Sequence, residues 1–390
     1  MPVSSAHHPL RAAALALASA AVLAFAHPEV ATGETGSDEI VDTRTAVVDL
    51  AALKDIQGLV GQLADKRVVF VGETHDRYED HLNQLAIIEG LHRLGKDLAI
   101  GMEFFQQPFQ AALDDYIAGA ISEQEMLRRS EYFDRWRFDY RLYRPILRFA
   151  REQGIPLIAL NIEREITAKV GQGGIGSLSE EELTRIPAEI DRDDPQYRKR
   201  LLAVYEHHPK AEEGDFERFL DVQLLWDEGM AERAARYLAE HPTKTLVVLA
   251  GTGHVEYGQG IPQRLLRRMP VESATILSGA SRELEVGVAD FLLYPKRVEL
   301  PVAGLLGVLL DTESPGEGVG VKGFVPDSGA KAAGMQEGDR IVRVGPEPVG
   351  VYADVRIALI GGRPGEKVSV EVLRKRLLGS ERVSLEVELR

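Results

Sequence analysis

Short apolar runs alternate with amphipathic stretches along roughly the first three hundred residues of the chain. Four of these runs occupy residues 67–71, 97–102, 155–160 and 245–250. Apolar runs of this length are typical of strands that are buried on both faces of a parallel sheet. The segments between them carry apolar residues at helical spacing. The pattern therefore predicts an α/β fold with a mainly parallel sheet flanked by helices.

Polar side chains follow each of the four runs directly. Glu73 and His75 follow the first run, Glu103 the second, Asn161 the third and His254 the fourth. The carboxyl ends of the strands line the ligand crevice in open α/β sheets. We therefore expect these five side chains to meet in one site.

Other segments predict the elements around this sheet. Strands are expected at 273–277 and 284–288, and residues 171–215, with weak periodicity, are expected to form a helical insertion. A helix is predicted over 78–94, where acidic residues near the start favour a solvated first turn at Glu79 and Asp80.

The length, net charge and lack of cysteine of the chain narrow the range of functions it could have. A chain of 390 residues predicts about two or three domains. The formal net charge of -15 argues against nonspecific binding to nucleic acid or to an anionic membrane. The chain has no cysteine, which excludes disulfides, thiolate metal sites and membrane attachment through a lipidated cysteine.

The first 26 residues have the pattern of a secretory signal peptide. Arg11 supplies a positive charge, residues 12–25 are almost wholly apolar, and a small-x-small cleavage motif ends at Ala26. An uncleaved membrane anchor is the alternative, although the run is shorter than the ~20 residues that a span needs. Residues 27–46 are expected to form a polar leader. This predicts an exported protein of the periplasm or cell envelope, soluble after cleavage.

The strand-end residues suit metal chemistry. His75, Glu103 and His254 offer imidazole and carboxylate ligands for Zn, Mn, Fe or Co. Such a metal would lower the pKa of a bound water, and Glu73 would act as general base. One hypothesis is therefore a metal-dependent hydrolase of peptides or esters, with these four residues as its catalytic set. The alternative is a polar network without chemistry.

The ordered set of motifs resembles the ChaN-like haem-binding domain of the Tiki superfamily. The motifs are Gly72-Glu73-Thr74-His75, Glu103-Phe104-Phe105, Leu160-Asn161, Trp226-Asp227-Glu228-Gly229-Met230-Ala231 and Gly251-Thr252-Gly253-His254. We expect this domain to span residues 47–297. The resemblance implies an α/β fold around a strand-end cleft and the binding of haem or a related tetrapyrrole in iron uptake. In Tiki relatives it implies metal-dependent hydrolysis.

The resemblance also implies ligand residues. Without cysteine, an axial haem ligand would be Tyr, His or Met. The candidate tyrosines are Tyr132, Tyr140, Tyr143 and Tyr257. Trp136 is expected in the apolar wall of the haem site, and the candidate partners of the haem propionates are Arg135, Arg137 and Arg141.

Three further residues complete the candidate ligand set. Asn161 is expected to hydrogen-bond a ligand, and Arg164 to balance a carboxylate. The resemblance suggests that Asp227 faces the cleft, while its sequence context equally allows a surface position.

The composition changes near residue 301. The segment from 301 to 390 is rich in short β-like runs and glycine turns, and it resembles a small PDZ domain of the bacterial protease-associated kind. The motifs are Gly304-Leu305-Leu306-Gly307 and the stretch from Ser328 to Ile341. The resemblance implies that the first loop offers amides to the C-terminal carboxylate of a peptide or partner protein. It also implies that the strand after this loop and a helix over 355–359 form the groove walls.

Three functions follow from the sequence. The first is an exported haem-binding protein with a PDZ domain that docks a partner. The second is the metal-dependent hydrolase, and the third is a non-catalytic envelope adaptor.

Overall fold

The computed structural model of the chain describes residues 48–207, 215–280, 282, 284–377 and 379–390. The predicted signal peptide and the whole of the predicted polar leader lie outside these described residues. Among the helices that are described, none combines the length and apolarity that crossing a membrane requires.

The first domain is built on a parallel sheet. In the described part of the chain this sheet has six strands in the order β3-β2-β4-β1-β5-β6. Every neighbouring pair is parallel, as the apolar runs predict. The strands are β1 (Val68–Glu73), β2 (Leu98–Gln106), β3 (Leu157–Asn161), β4 (Thr245–Gly251), β5 (Ser273–Ser278) and β6 (Phe291–Leu293).

Helices cover both faces of the sheet. Along β1, Val69 and Val71 contribute to the core cluster on one face, and Val68 and Phe70 to the cluster on the other. This alternation explains why the strand is apolar throughout. The helices are α1 (Ile56–Leu63), α2 (Tyr78–Arg93), α3 (Gln110–Ile117), α4 (Glu123–Arg129), α5 (Tyr132–Arg135), α6 (Tyr140–Gln153), α7 (Arg164–Gly173), α8 (Glu180–Leu183), α9 (Pro195–Glu206), α10 (Phe216–Glu240) and α11 (Ile261–Arg268).

Two sequence-based expectations are wrong. The segment 284–288 is not a strand, and the last strand of the sheet is β6 instead. Leu284 and Val286 are exposed and Gly287 has a φ of +86°, so the segment buries only Val288 of its apolar side chains and does not keep an extended backbone. The first turn of α2 is not solvated, because Glu79 and Asp80 are buried.

The second domain is a small antiparallel sheet with two short helices. The sheet follows the order β12-β11-β9-β8-β7, and β10 pairs with β9. Its strands are β7 (Val308–Asp311), β8 (Val319–Phe324), β9 (Arg340–Val344), β10 (Glu347–Pro348), β11 (Lys367–Arg376) and β12 (Gly379–Glu388), and its helices are α12 (Gly329–Ala332) and α13 (Tyr352–Ala358). The predicted fold class is confirmed for both domains.

The two domains share an interface along α13. Ile357 and Ile360 are buried in the core cluster of the α/β domain. The Arg128 guanidinium donates to Asp354 Oδ1 at 3.0 Å and to Glu347 Oε2 at 3.1 Å. Apolar burial and charge-assisted hydrogen bonds together hold the second domain against α4 and α5.

Candidate functional site

The carboxyl ends of β1, β2 and β4 lie side by side at the centre of the sheet. Glu73 is in register with Gly251, and Met102, the residue before Glu103, is in register with Leu249. The parallel register therefore brings Glu73 and Glu103 to the same edge, with β4 between their strands. His75 and His254 follow directly after β1 and β4.

Five side chains form what we call the His75 arm: Glu73, His75, His81, Gln84 and Tyr143. His75 Nδ1 donates to Glu73 Oε1 at 2.9 Å. The other Glu73 oxygen lies 3.3 Å from His81 Nδ1 and accepts from Gln84 Nε2 at 2.6 Å. The Tyr143 hydroxyl donates to Glu73 Oε1 at 3.2 Å. The arm draws its side chains from β1, α2 and α6, and all of them are buried.

Three side chains form what we call the His254 arm: His254, Asp227 and Tyr197. His254 Nδ1 donates to Asp227 Oδ1 at 2.6 Å. The Tyr197 hydroxyl donates to the second oxygen of Asp227 at 2.5 Å. Asp227 thus faces the strand ends, as the resemblance implies. Met230, one turn further along α10, packs in the core instead.

Glu103 lies between the two arms. Its Oε1 is 3.4 Å from His254 Nε2, and its Oε2 accepts from the Gly251 amide at 2.6 Å. A Cβ on Gly251 would stand 2.9 Å from both Cε1 and Nε2 of His75. Glycine is therefore required here because the imidazole rests directly on the backbone of β4.

The contacts at the strand ends shift the pKa values of His75, His254 and Glu103. Burial opposes the charge on His75, but the hydrogen bond to Glu73 and the charge of Glu103 raise its pKa above the ordinary value. Burial likewise opposes the charge on His254, while Glu103 and Asp227 raise its pKa to about 10. Burial favours the neutral form of Glu103, yet the two histidines lower its pKa. Imidazolium and carboxylate forms therefore coexist at neutral pH, an arrangement suited to donating hydrogen bonds and to exchanging protons with a ligand.

Aromatic side chains cover the His75 side of the cluster. The ring centroid of His75 lies 4.9 Å from that of Trp136, in an edge-on contact, and 4.8 Å from that of Phe138. Trp136 also donates from Nε1 to the Tyr143 hydroxyl at 3.2 Å. The wall that the sequence predicts around Trp136 is therefore placed against the strand-end residues.

The structure leaves several candidate ligand residues outside this cluster. The Tyr140 hydroxyl donates to Glu123, and Tyr257, at the surface, donates to Glu285. The Arg164 guanidinium donates to the backbone carbonyl of Asp134 at 2.6 Å.

Asn161 stands at the end of β3, in register with Gln106 beyond a register shift in β2. It is 9% exposed, and within the described residues its Oδ1 accepts no hydrogen bond.

The expected metal set is not assembled as a cation site. In the part of the chain that the structure describes, no group of three or more histidine, aspartate or glutamate side chains is arranged to hold a metal ion. His254 and Glu103 are instead paired with each other, and His75 is paired with Glu73. The Zn, Mn, Fe or Co alternative therefore gains no support from the geometry.

Sequence reasoning missed three members of the arms. His81 and Gln84 stand three residues apart on α2 and continue into the buried positions Ile88 and Leu91. Polar residues on an otherwise buried helix stripe are a usable signal of a buried network. Tyr197 lies in the weakly patterned insertion, where no comparable signal exists.

In the second domain, the loop expected to bind a peptide carboxylate has four amides, and two of them already donate hydrogen bonds to backbone carbonyls of the same domain. The Gly304 amide donates to the Gly362 carbonyl and the Leu305 amide to the Arg390 carbonyl. Among the described residues, no acceptor faces the amides of Leu306 and Gly307. These two amides, beside the start of β7, are the ones left to meet a ligand.

Each of the two domains matches a known protein family. A family model described as haem-binding uptake, Tiki superfamily, ChaN matches residues 59–265, and a PDZ-domain model matches residues 304–389. A solved structure of ChaN of Campylobacter jejuni, described as showing cofacial heme binding, is similar to this chain with a TM-score of 0.50 and 15% identity. That match covers 60% of this chain and 90% of the other.

A plant protein is also similar. Protein RETICULATA-RELATED 5, chloroplastic, of Arabidopsis thaliana is 26% identical over 291 residues. The match covers 67% of this chain but 38% of the length of the plant protein. Because the ChaN model matches more than half of the chain, the resemblance found in the sequence is confirmed, and the chain belongs to the ChaN haem-binding family of the Tiki superfamily, with a PDZ domain following the family domain.

Proposed function

We propose that this chain is an exported haem-binding protein of the cell envelope, acting in iron uptake. Haem, or a related tetrapyrrole, is held at the carboxyl ends of the sheet strands, and the PDZ domain docks the C-terminus of a peptide or partner protein. The observation that carries the proposal is the convergence of both histidine arms on Glu103 under an aromatic wall. A polar floor beside half-buried aromatic rings suits a flat apolar ring with charged substituents.

The choice of iron ligand follows from burial. Tyr132, Tyr140 and Tyr143 are at most 1% exposed, and burial raises the pKa of each phenol well above its usual value. Tyr257 is 37% exposed and stands three residues after His254. Its hydroxyl donates to Glu285 Oε2 at 2.5 Å, and burial together with this carboxylate raises the pKa of the phenol to about 12, so exposure and not acidity distinguishes Tyr257 from the other three. Tyr257 is the tyrosine of this set that would hold the iron.

The choice of propionate partner follows from charge pairing. Arg135 is bound by Glu131 and Glu165, and Arg141 by Asp139. Arg137 has no hydrogen bond or ion pair with any described residue, and it stands between the two aromatic residues that contact His75. It is therefore the arginine of this set that would meet a carboxylate of the ligand.

The docking of a partner rests on the edge of the second sheet. β7 pairs with β8 on one side, and no described strand pairs with its other edge. The unused amides of Leu306 and Gly307 precede this edge. An extended peptide would add to β7 as a further strand and place its carboxylate on these amides.

The localisation rests on the sequence alone. Residues 1–26 carry the signal-peptide pattern, and the absence of cysteine excludes a lipid anchor on that residue type. The protein would act as a soluble periplasmic or envelope component after cleavage.

A visible-absorption titration with ferric haem tests the haem function. The purified chain should show a saturable shift of the Soret band. Tyr257→Phe should alter the spectrum and weaken binding at least tenfold, because it removes the phenol oxygen. Tyr294→Phe, at a tyrosine that is 59% exposed, is the matched control and should bind like the parent chain. Absence of a saturable shift would contradict haem binding, and equal spectra for both variants would contradict the role of Tyr257.

A further inference from the structure

An open cavity lies between the two domains at the far end of β7. It has a volume of about 360 Å³ and is bordered by Asp134 of α5, by the β7–β8 connection and by the start of α13. Val351 and Tyr352 on its rim are 59% and 38% exposed. The cavity exists because the interface along α13 holds α5 beside the open edge of the second sheet.

Three carboxylates border this cavity: Asp134, Asp311 and Glu313. Within the described residues, the carboxylates of Asp134 and Glu313 have no ion-pair or hydrogen-bond partner. Asp311 accepts from the amides of Glu313 and Ser314 and from the Ser314 hydroxyl, and its charge interacts with that of Lys322 without a direct ion pair.

One cationic side chain, that of Arg340, also borders the cavity, and it is hydrogen-bonded to the β7–β8 connection. The Arg340 guanidinium donates to the carbonyls of Glu317 and Gly318 at 2.7 and 2.6 Å. It also donates to the carbonyls of Ser314 and Gly316. These hydrogen bonds all come from Nε and Nη2, and Nη1 donates to no described residue. With three carboxylates against one guanidinium, the formal charge around the cavity is negative.

Strand polarity determines which part of a docked peptide reaches this cavity. A peptide whose carboxylate sits at Leu306 and Gly307 would run antiparallel to β7, so its upstream residues would leave the strand at Asp311. At ~3.3 Å per residue, the four residues of β7 span about 13 Å. Roughly the fourth to sixth residues from the C-terminus of the peptide would then lie among the three carboxylates.

We infer that the α/β domain completes the peptide site of the PDZ domain, and that the preferred partner carries lysine or arginine at about the fourth to sixth positions from its C-terminus. This inference rests on the proposed docking function and adds the chemistry of the partner. The observation behind it is a cavity that continues the unpaired edge of β7 and presents three carboxylates, none of them in a direct ion pair with a described residue, which complements a basic segment.

Fluorescence anisotropy with the full chain tests the inference. Three labelled peptides share an apolar C-terminal residue and differ at the fourth to sixth positions from the C-terminus, which are all lysine, all alanine or all glutamate. We expect the lysine peptide to bind about tenfold more tightly than the alanine peptide, and the glutamate peptide to bind more weakly still. The preference should shrink as salt rises, because these charges are near solvent.

Two variants of equal charge change locate the effect. Asp134→Asn should reduce the preference for lysine over alanine about threefold. Asp65→Asn, at an exposed aspartate paired with Lys66, should leave this preference unchanged. Circular dichroism of both variants checks that they are folded.

The possible failures are distinguishable. Equal binding of all three peptides, or an unchanged preference in Asp134→Asn, would overturn the inference while leaving peptide docking intact. Failure of all three peptides to bind would overturn the docking function itself, and the inference with it.

Discussion

The two histidines at the strand ends are held by different kinds of structure. The His75 arm consists of side chains from β1, α2 and α6, and aromatic rings pack on it. The His254 arm reaches through Asp227 of α10 to Tyr197 of α9, which belongs to the insertion after β3. The first arm is part of the domain core, and the second depends on an element outside the repeating strand–helix pattern.

This difference predicts how well each arm tolerates the loss of one hydrogen-bond donor. Glu73 accepts hydrogen bonds from three neighbours at once, so removing one donor leaves others in place. Asp227 accepts from His254 and Tyr197 alone among the described residues. We expect the His254 arm to respond more strongly to small changes.

The largest expected effect is the removal of the shared carboxylate of the His75 arm. Glu73→Gln leaves His75 and His81 buried without their anion and should lower the free energy of unfolding by about 3–5 kcal/mol. Urea denaturation measures this, with Glu299→Gln, at a glutamate whose side chain is 78% exposed, as the control. A change below about 1 kcal/mol would contradict the central position of Glu73.

Raising the pH should weaken the His254 arm. The pKa of His254 is raised from 6.5 to about 10, so its contribution is fully present below pH 6.5 and is lost as the pH rises towards 10. The loss should amount to roughly 2–4 kcal/mol of unfolding free energy. Denaturation of the parent chain and of His254→Gln at several pH values measures it, and the difference between them should narrow across this range. Parallel profiles would contradict the ion pairing.

A methyl group placed between the arms should disturb both. Gly251→Ala would put Cβ 2.9 Å from the His75 ring and should cost about 1–3 kcal/mol of stability. Gly253→Ala is the matched control in the same turn, because its Cβ would meet no atom within 4 Å. Thermal unfolding of the two variants decides the point, and equal stability would show that the contact between His75 and β4 is not tight.

The smallest expected effect comes from removing one tyrosine hydroxyl from each arm, at Tyr197 or at Tyr143. Tyr197→Phe should lower the unfolding free energy by about 1–2 kcal/mol, because Asp227 loses one of its two donors. Tyr143→Phe should cost less, since Glu73 keeps two donors and Trp136, which loses the Tyr143 hydroxyl as its acceptor, is only half-buried. Denaturation of both variants ranks them, and a larger loss for Tyr143→Phe would reverse the comparison between the arms.

The sequence predicts the part of the site that depends on strand order. Glu73, His75, Glu103 and His254 follow apolar runs whose parallel pairing brings their ends together, so their convergence could be predicted without coordinates. Asp227 required the family resemblance, because a single aspartate on a helix does not indicate its direction. Tyr197 could not be predicted, since its contact depends on how the insertion folds back onto α10.

The wrong expectation at the start of α2 has a tertiary origin. Glu79 and Asp80 were expected in solvent because acidic residues favour the first turn of a helix. Tertiary contacts override this preference: Asp80 accepts from the Thr74 amide, and Glu79 accepts from the amide of Val298 in the segment between the domains. Local charge patterns carry no information about a distant segment that covers them.

An anomalous difference map at the iron absorption edge, from crystals grown with ferric haem, would locate the bound iron. We predict an iron peak in the cleft at the carboxyl ends of β1, β2 and β4, beside Tyr257 and the aromatic wall of Trp136 and Phe138. An iron peak elsewhere on the α/β domain, or on the PDZ domain, would contradict the claim that the two histidine arms form the floor of the haem site.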